Sequence, residues 1–139
     1  MERLVLANYR YAPGPSPLTR TDWSSQTRFA NITDGLSNTF FVGEKHVTLG
    51  QYGREDHGDG SIYNGDPLNE NAARPAGPLY PLARSPQEAY NHQFGSSHSG
   101  LCQFLLGDGS VRPIPVTISG TILGLLAVRN DGQAIPDFD

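Results

Sequence analysis

The strongest structural signal in the sequence is a Gly-Asp-Gly turn at residues 107–109, which separates two apolar stretches. An Asp-Gly pair between β-prone runs favours a β-hairpin, because both residues adopt the backbone angles that a tight turn requires. The runs LCQFLL and SVRPIPV therefore predict two antiparallel strands within residues 92–116. Pro113 and Pro115 place the second strand at an edge of the sheet, because proline donates no backbone hydrogen bond.

A further strand is predicted upstream, in the run TFFVGEKHV at residues 39–47. Side chains alternate along a strand, so we expect Phe40, Val42 and Glu44 to share one face. A carboxylate beside large apolar residues needs partners. The favoured role of Glu44 is therefore structural, hydrogen-bonded to backbone N–H groups or paired with an arginine. A general base is the alternative, but the sequence shows no partner for one.

The C-terminal part predicts the main helix. Residues 117–128, TISGTILGLLAV, place four apolar residues at helical spacing: Ile118, Ile122, Leu125 and Leu126. Ser119 or Thr117 is the expected N-cap. Gly120 and Gly124 lower helix propensity but allow the helix to pack closely against a sheet.

Length and composition predict one domain with much irregular structure. The 139 residues suffice for a single domain, 1–139, but they include 16 Gly and 11 Pro. We expect residues 1–27 to form an extended segment, with Trp23 as an anchor against the body. Residues 49–91 are expected to form a long irregular loop region. The lone Cys102 excludes an internal disulfide and is expected to be a buried, inert thiol.

Charge and hydropathy exclude two classes of partner for the chain as written. The formal net charge is −4 and no run of Lys or Arg occurs, which excludes a nucleic-acid backbone as partner. No stretch approaches the roughly 18 apolar residues of a membrane span, so no membrane contact is expected. No signal peptide is visible at the start of the sequence.

His98 and Asp108 are residue types that enzymes and metal sites use. The sequence offers them no clear nucleophile, since no G-x-S-x-G element is present. A turn aspartate usually binds its own backbone, and a strand length separates the two residues. We therefore expect no enzymatic activity. A hydrolase using His98 with a serine or with Asp108 is the less favoured alternative.

The segment EDHGDGSIYNGD, residues 55–66, resembles the register of an EF-hand calcium loop. That register puts Glu55, His57, Asp59 and Asp66 at ligand positions and Gly60 at the turn. The expected cofactor is none, with calcium bound through Glu55, Asp59 and Asp66 as the alternative. Zinc is disfavoured because the histidine spacing matches no zinc motif across His46, His57, His92 and His98.

Two longer segments resemble the signatures of a large bacterial family of prepilin-like proteins of unknown molecular function. ITDGLSNTFFVGE, residues 32–44, is similar to the family's DG-x-SNT…GE signature. FGSSHSGLCQFLLGDGSVRPI, residues 94–114, is similar to its prepilin-type processing-associated motif, His-x(nine)-Asp-Gly. The residues that carry the resemblance are Asp34, Gly35, Ser37, Asn38, Glu44, His98, Asp108 and Gly109.

The resemblance implies the plan of a type IV pilin or a type II secretion pseudopilin. Such proteins have a cleavable N-terminal signal, one long apolar helix and a globular head built on a small antiparallel sheet. The present sequence shows neither the processing site nor the apolar helix. The expected fold is therefore α+β: a pilin-like head lacking the N-terminal helix, with a small antiparallel sheet, a C-terminal hairpin and short helices.

The resemblance also implies a structural or interaction protein, the head of a pseudopilin-like subunit for envelope secretion or filament assembly. Its partners would be other pilin-like subunits or secretion-system proteins, met through the loop region 49–91. Its location would be the bacterial cell envelope, periplasmic or extracellular, if the N-terminal helix precedes it, and otherwise it would be soluble. In this interpretation His98 and Asp108 brace the hairpin strands, and Glu44 ties the first strand to them.

Overall fold

The computed structural model describes residues 27–59, 74–89 and 92–138. Three strands, β1 (Phe40–Gly43), β2 (Leu101–Leu106) and β3 (Val111–Pro115), precede one helix, α1 (Gly120–Ala127). Short 3-10 helices lie at Phe29–Asn31, Leu36–Asn38 and Glu55–His57. The strands form an antiparallel sheet in the order β1-β2-β3. The protein is thus a small α+β domain, as predicted, while the expectations for residues 1–26, Trp23 included, lie outside the described residues.

The hairpin of β2 and β3 is confirmed. Its strands pair from Leu101↔Pro115 to Leu105↔Val111. In the turn, Gly109 N donates to Leu106 O at 3.0 Å. Gly109 has a φ of 87°, in the left-handed region that other residues enter only at a cost. The local chemistry of this turn is therefore sufficient to fix the hairpin.

β3 is an edge strand, and the backbone nitrogens of its prolines point away from β2. Val116 N donates to Gly100 O at 2.9 Å, and Leu106 N donates to Ser110 O at 2.9 Å. Backbone groups alternate in direction along an antiparallel strand, so the even-numbered residues of β3 bond to β2. Pro113 and Pro115 then occupy outward positions, where the missing N–H breaks no ladder bond. They also leave the free edge of β3 poor in donors for another strand.

The predicted alternation along the first strand was wrong. Phe40 pairs with Leu106 and Val42 with Leu105, so an extra residue is inserted between them as a β-bulge. An inserted residue sends the following side chain to the opposite face. Phe40 is accordingly buried, whereas Val42 is 49% exposed. Glu44 follows the last residue of β1 and does not share the buried face of Phe40.

The core lies between one face of the sheet and α1. β2 alternates between exposed or half-buried residues and buried ones. The rings of Phe40 and Phe104 stack with centroids 4.0 Å apart, and Phe94 meets Phe104 edge-on at 5.2 Å. The buried cluster comprises Phe40, Ala76, Leu82, Phe94, Cys102, Phe104, Leu106, Ile114, Leu123, Leu126 and Ala127.

Helix α1 begins three residues later than the apolar spacing predicts. Ser119 is its N-cap, as expected, and its side-chain oxygen accepts a hydrogen bond from Thr121 N at 3.3 Å. Gly120 packs against the backbone of Pro78 and not against the sheet. Within the described ranges, no helix has the length and apolar character needed to span a membrane.

The described parts of the 49–91 region are largely irregular, yet they contribute to the interior. One isolated bridge pairs Gly77 with Tyr80, and another pairs Lys45 with Phe94. Ala83 N donates to Phe94 O at 2.9 Å, which holds this region against the segment that precedes β2. Part of the predicted loop region is therefore a layer of the core.

Candidate functional site

The two segments that resemble family signatures, 32–44 and 94–114, contact each other at both ends of β2. We call the end at residues 107–109 the turn end and the end at residues 96–101 the loop end. The first segment runs alongside β2 and reaches both ends through β1. The candidate site is this arrangement, which brings together most of the residues singled out in the sequence.

At the turn end, backbone groups join the two segments. Asp108 N donates to Leu36 O at 3.2 Å, and Gly107 N donates to Thr39 O at 3.0 Å. A side chain at Gly107 would place its Cβ 2.7 Å from a ring atom of Phe41 and 3.0 Å from Leu36 O. Glycine is therefore required at position 107 by the close approach of the first segment.

The Asp34-Gly35 pair shapes the first segment for this contact. Gly35 has a φ of 96°, and Asn38 N donates to Gly35 O at 3.1 Å in the turn that follows. Asn38 Nδ2 donates to Asp34 O at 3.4 Å. Ser37 is exposed in the same turn. The turn places Leu36 against the hairpin. The DG-x-SN pattern therefore serves to position this contact.

The carboxylate of Asp34 binds the segment that follows α1. Its Oδ2 accepts a hydrogen bond from Asp131 N at 2.8 Å, and its Oδ1 accepts one from Gly132 N at 2.9 Å. Asp34 N donates in turn to Arg129 O at 3.2 Å. Hydrogen bonds to a charged acceptor are stronger than neutral ones. Asp34 thus fixes the C-terminal segment to the first signature segment.

Asp108 is occupied within its own turn. Its Oδ1 accepts hydrogen bonds from Ser110 Oγ at 2.7 Å and from Ser110 N at 2.9 Å. These two bonds, the side-chain one foremost, lower the pKa of Asp108 below its ordinary value. The carboxylate is ionised at neutral pH and serves the turn geometry.

At the loop end, Glu44 binds the backbone of β2. Glu44 Oε2 accepts a hydrogen bond from Gln103 N at 2.7 Å, while Glu44 N donates to Gln103 O at 3.2 Å. Glu44 O accepts a hydrogen bond from Gly95 N at 3.0 Å. The side chain therefore continues the pairing of β1 with β2 beyond the last strand residue.

His98 lies beside Glu44 and far from Asp108. Its Nε2 is 3.4 Å from Glu44 Oε1, and its side chain is 61% exposed. Its backbone N donates to Ser96 Oγ at 2.9 Å, within the loop that leads into β2. The six residues of β2 separate His98 from Asp108 by about 17 Å. The two residues therefore do not form a catalytic dyad.

Cys102 lies in the core between these contacts. The thiol is fully buried, and its Sγ is 3.7 Å from Glu44 O. Burial, more than the nearby charge of Glu44, raises the pKa of Cys102 to about 12. A thiol with so high a pKa is not a nucleophile at neutral pH.

The predicted calcium loop is only partly described. Asp66 and Gly60 lie outside the described residues, and Glu55 belongs to a 3-10 helix. Asp59 Oδ1 is 2.8 Å from Lys45 Nζ, and its Oδ2 accepts a hydrogen bond from Gly53 N at 2.6 Å. The bond from Lys45, followed by that from Gly53, lowers the pKa of Asp59. Both oxygens of this candidate ligand therefore already have partners.

In the part of the chain that the structure describes, no three His, Cys, Asp or Glu side chains converge into a metal site. The sequence did not predict the buried contacts of two polar residues, His46 and Arg74. His46 Nε2 lies 2.8 Å from Glu88 O, and Arg74 Nη2 donates to Gly58 O at 2.6 Å. A carbonyl only accepts, so Nε2 of His46 carries the proton. Both side chains hold irregular segments against the core.

A known protein family matches most of the chain. A family described as "Protein of unknown function (DUF1559)" matches residues 8–120, which is more than half of the 139 residues. The match includes both signature segments in their entirety. Neither a curated protein nor a solved structure matches the chain.

Proposed function

Because the chain belongs to the DUF1559 family of proteins of unknown function, we propose that it acts as the globular head of a pseudopilin-like subunit. The role is structural: the head assembles with other pilin-like subunits or secretion-system proteins in the bacterial cell envelope. One observation carries the proposal. The carboxylates of the signature segments, those of Asp34, Glu44 and Asp108, all bind backbone N–H groups.

The hydrogen-bond pattern supports a scaffold and not a reaction centre. Catalytic groups need a free reactive atom within hydrogen-bond reach of a substrate. Here Asp108 binds its own turn, Asp34 binds the C-terminal segment, and Glu44 binds β2. The side chain of His98 is 61% exposed, and its Nε2 lies 3.4 Å from Glu44 Oε1. A subunit head needs this rigidity because it must present a fixed surface to its neighbours.

The surface available to neighbours supports an interaction role. In the described parts of the 49–91 region, three large apolar side chains are exposed: Leu49, Tyr52 and Leu79. The loop that carries Leu49 and Tyr52 is held by backbone hydrogen bonds, among them Leu49 N to Pro86 O at 2.7 Å and Gln51 N to Thr48 O at 2.9 Å. Fixed, exposed tyrosine and leucine side chains are suited to contacts between proteins.

Site-specific cross-linking in the native host tests the proposal. In one strain, the chromosomal gene is altered so that a photo-reactive amino acid replaces Tyr52. In a matched control strain the same amino acid replaces Gln133, which is exposed on the C-terminal segment. We expect the Tyr52 probe to cross-link the protein to pilin-like or secretion-system subunits in the envelope fraction. Recovery of the protein without envelope association and without cross-links at either position would contradict the proposal.

A further inference from the structure

The two N–H groups that Asp34 binds belong to an Asp-Gly dipeptide, Asp131-Gly132. Aspartate followed by glycine is prone to rearrange through a succinimide, because glycine has no side chain to hinder attack by its nitrogen on the preceding carboxyl. The product is isoaspartate, in which the main chain runs through the former side chain. Asp131 and Gly132 are both exposed, so water has access to them.

The rearrangement of Asp131 needs no reactant other than water. The nitrogen of Gly132 attacks Cγ of the protonated Asp131 side chain. A C–N bond forms, a C–O bond breaks, and the amide hydrogen leaves with the carboxyl OH as water. Water then adds to one of the two carbonyl carbons of the succinimide ring. Opening at the α carbonyl gives isoaspartate, and opening at the other carbonyl restores aspartate.

The turn at Asp131 brings the reacting groups together. Asp131 Oδ1 accepts a hydrogen bond from Gln133 N at 2.9 Å, which is an Asx turn. The ring that this bond closes contains both Cγ of Asp131 and the nitrogen of Gly132. Gly132 has a φ of 70°, and a Cβ at this position would meet no atom within 4 Å. The local geometry therefore leaves the dipeptide open to rearrangement.

Asp34 opposes the attack in two ways. Its Oδ1 holds the N–H of Gly132 at 2.9 Å and its Oδ2 holds the N–H of Asp131 at 2.8 Å, so two successive peptide groups are fixed. Attack requires the Gly132 peptide to rotate toward Cγ, which breaks these bonds. The intermediate also carries negative charge on the carbon that joins the Gly132 nitrogen, and the carboxylate of Asp34 repels that charge.

We propose that Asp131-Gly132 is an isomerisation site that Asp34 protects in the folded protein. Isoaspartate inserts one methylene into the main chain, so the two N–H groups lose the spacing at which one carboxylate binds both. The residues that follow include Ile135 and Phe138, which are partly buried against the core. Isomerisation at Asp131 therefore makes release of this C-terminal segment irreversible.

The hairpin contains a second Asp-Gly pair, which serves as an internal comparison. Gly109 N donates to Leu106 O at 3.0 Å, and Asp108 Oδ1 accepts two hydrogen bonds from Ser110. None of these bonds involves Asp34. A general loosening of the fold exposes both Asp-Gly pairs, whereas loss of the Asp34 contact exposes only the pair at 131 and 132.

Peptide mapping of the whole chain after prolonged warm incubation at neutral pH tests the proposal. Trypsin cleaves after Arg129 and releases residues 130–139, and electron-transfer fragmentation distinguishes isoaspartate from aspartate, which have equal mass. We expect Asp34→Ala to form isoaspartate at position 131 at least about tenfold faster than the natural chain, because a bond to a charged acceptor is lost. The rate at position 108 should stay unchanged.

Two further variants separate protection from stability. Asp34→Asn keeps one acceptor oxygen and should give an intermediate rate at position 131. Glu44→Ala is the matched control, because it removes a charged acceptor from Gln103 N at the other end of the sheet. It should leave the rate at position 131 close to that of the natural chain. Circular dichroism records that each variant is folded during the incubation.

The proposal would be overturned by an unchanged rate at position 131 in Asp34→Ala. A slower rate in that variant would also overturn it, because Asp34 would then act as a base that promotes the attack. Equal acceleration in Glu44→Ala, or equal acceleration at positions 108 and 131 in Asp34→Asn, would assign the effect to general loosening. Isomerised natural chain should be cleaved faster by proteases within residues 133–138, and equal cleavage would contradict release of the segment.

Discussion

The carboxylate of Asp34 accepts a hydrogen bond from the backbone N–H of Gly132, 98 positions later in the chain, at 2.9 Å. The same side chain accepts a second bond from Asp131 N. Asp34 belongs to the turn that carries Leu36 to the hairpin, where Leu36 O accepts a bond from Asp108 N. One short segment thus joins the C-terminal region and the hairpin.

Glu44→Ala is expected to lower the free energy of unfolding by about 1–3 kcal/mol, because Gln103 N loses its charged acceptor. Glu44→Gln keeps an acceptor oxygen and should cost less. His98→Ala should cost less than about 1 kcal/mol, since its ring contact with Glu44 is long and exposed. Urea unfolding of the three variants measures these differences. If His98→Ala lowered the free energy of unfolding as much as Glu44→Ala does, Glu44 would not stabilise the fold mainly through its bond from Gln103 N.

The two glycines of α1 are expected to respond in opposite directions. A Cβ at Gly120 would lie 2.7 Å from Pro78 Cα, which is backbone and cannot turn aside, so Gly120→Ala should destabilise the protein. The nearest atom to a Cβ at Gly124 is 3.5 Å away, an ordinary contact. Gly124→Ala should therefore stabilise the helix by up to about 1 kcal/mol. Thermal unfolding of the two variants measures these effects. A Tm shift in the same direction for both would contradict the opposite responses expected of the two glycines.

The contact between Lys45 and Asp59 predicts an acid-dependent stability. The pKa of Asp59 is lowered in the folded protein, so its ionised form stabilises the fold above the unfolded pKa of about 3.9. That contribution is lost as pH falls through the lower folded pKa. The Tm difference between the natural chain and Lys45→Met should be constant above about pH 5 and shrink at lower pH.

Lys45→Arg is the matched control for this experiment, because it keeps the positive charge beside Asp59. It should retain the pH dependence of the natural chain. A Tm difference between the natural chain and Lys45→Met that is the same at neutral and at strongly acid pH would show that Lys45 acts through packing and not through its charge.

The sequence was most informative where structure is set by neighbouring residues. The Asp108-Gly109 turn and the Ser119 cap depend on local backbone chemistry, and both elements form where that chemistry predicts them. The bulge after Phe40 was not predictable in this way. It depends on the register against β2 and on the fit of the following ring over Gly107, which lies far away in sequence.

Buried polar residues were missed for a related reason. His46 and Arg74 are each 1% exposed, and each binds a backbone carbonyl in a loop, at Glu88 and Gly58 respectively. Every residue has a backbone carbonyl, so the sequence does not indicate which one a buried side chain will bind. The contact of Asp34 with residues 131 and 132 is equally invisible, because both partners are backbone N–H groups.

The central claim is that the signature residues hold the fold together, and Asp34 tests it most directly. We expect Asp34→Ala to lower the free energy of unfolding by about 1–2 kcal/mol through loss of two hydrogen bonds to a charged acceptor. Asp137→Ala is the matched control, because Asp137 is exposed on the same C-terminal segment. It should change stability by less than about 0.5 kcal/mol.

Amide hydrogen exchange at Asp131 and Gly132 is the decisive measurement, since their N–H groups are the ones that Asp34 binds. In Asp34→Ala, under conditions where the protein stays folded, exchange at these two amides should accelerate while exchange in β2 is much less affected. Unchanged exchange at both amides, with unfolding free energy equal to that of Asp137→Ala, would contradict the structural role assigned to the signature residues.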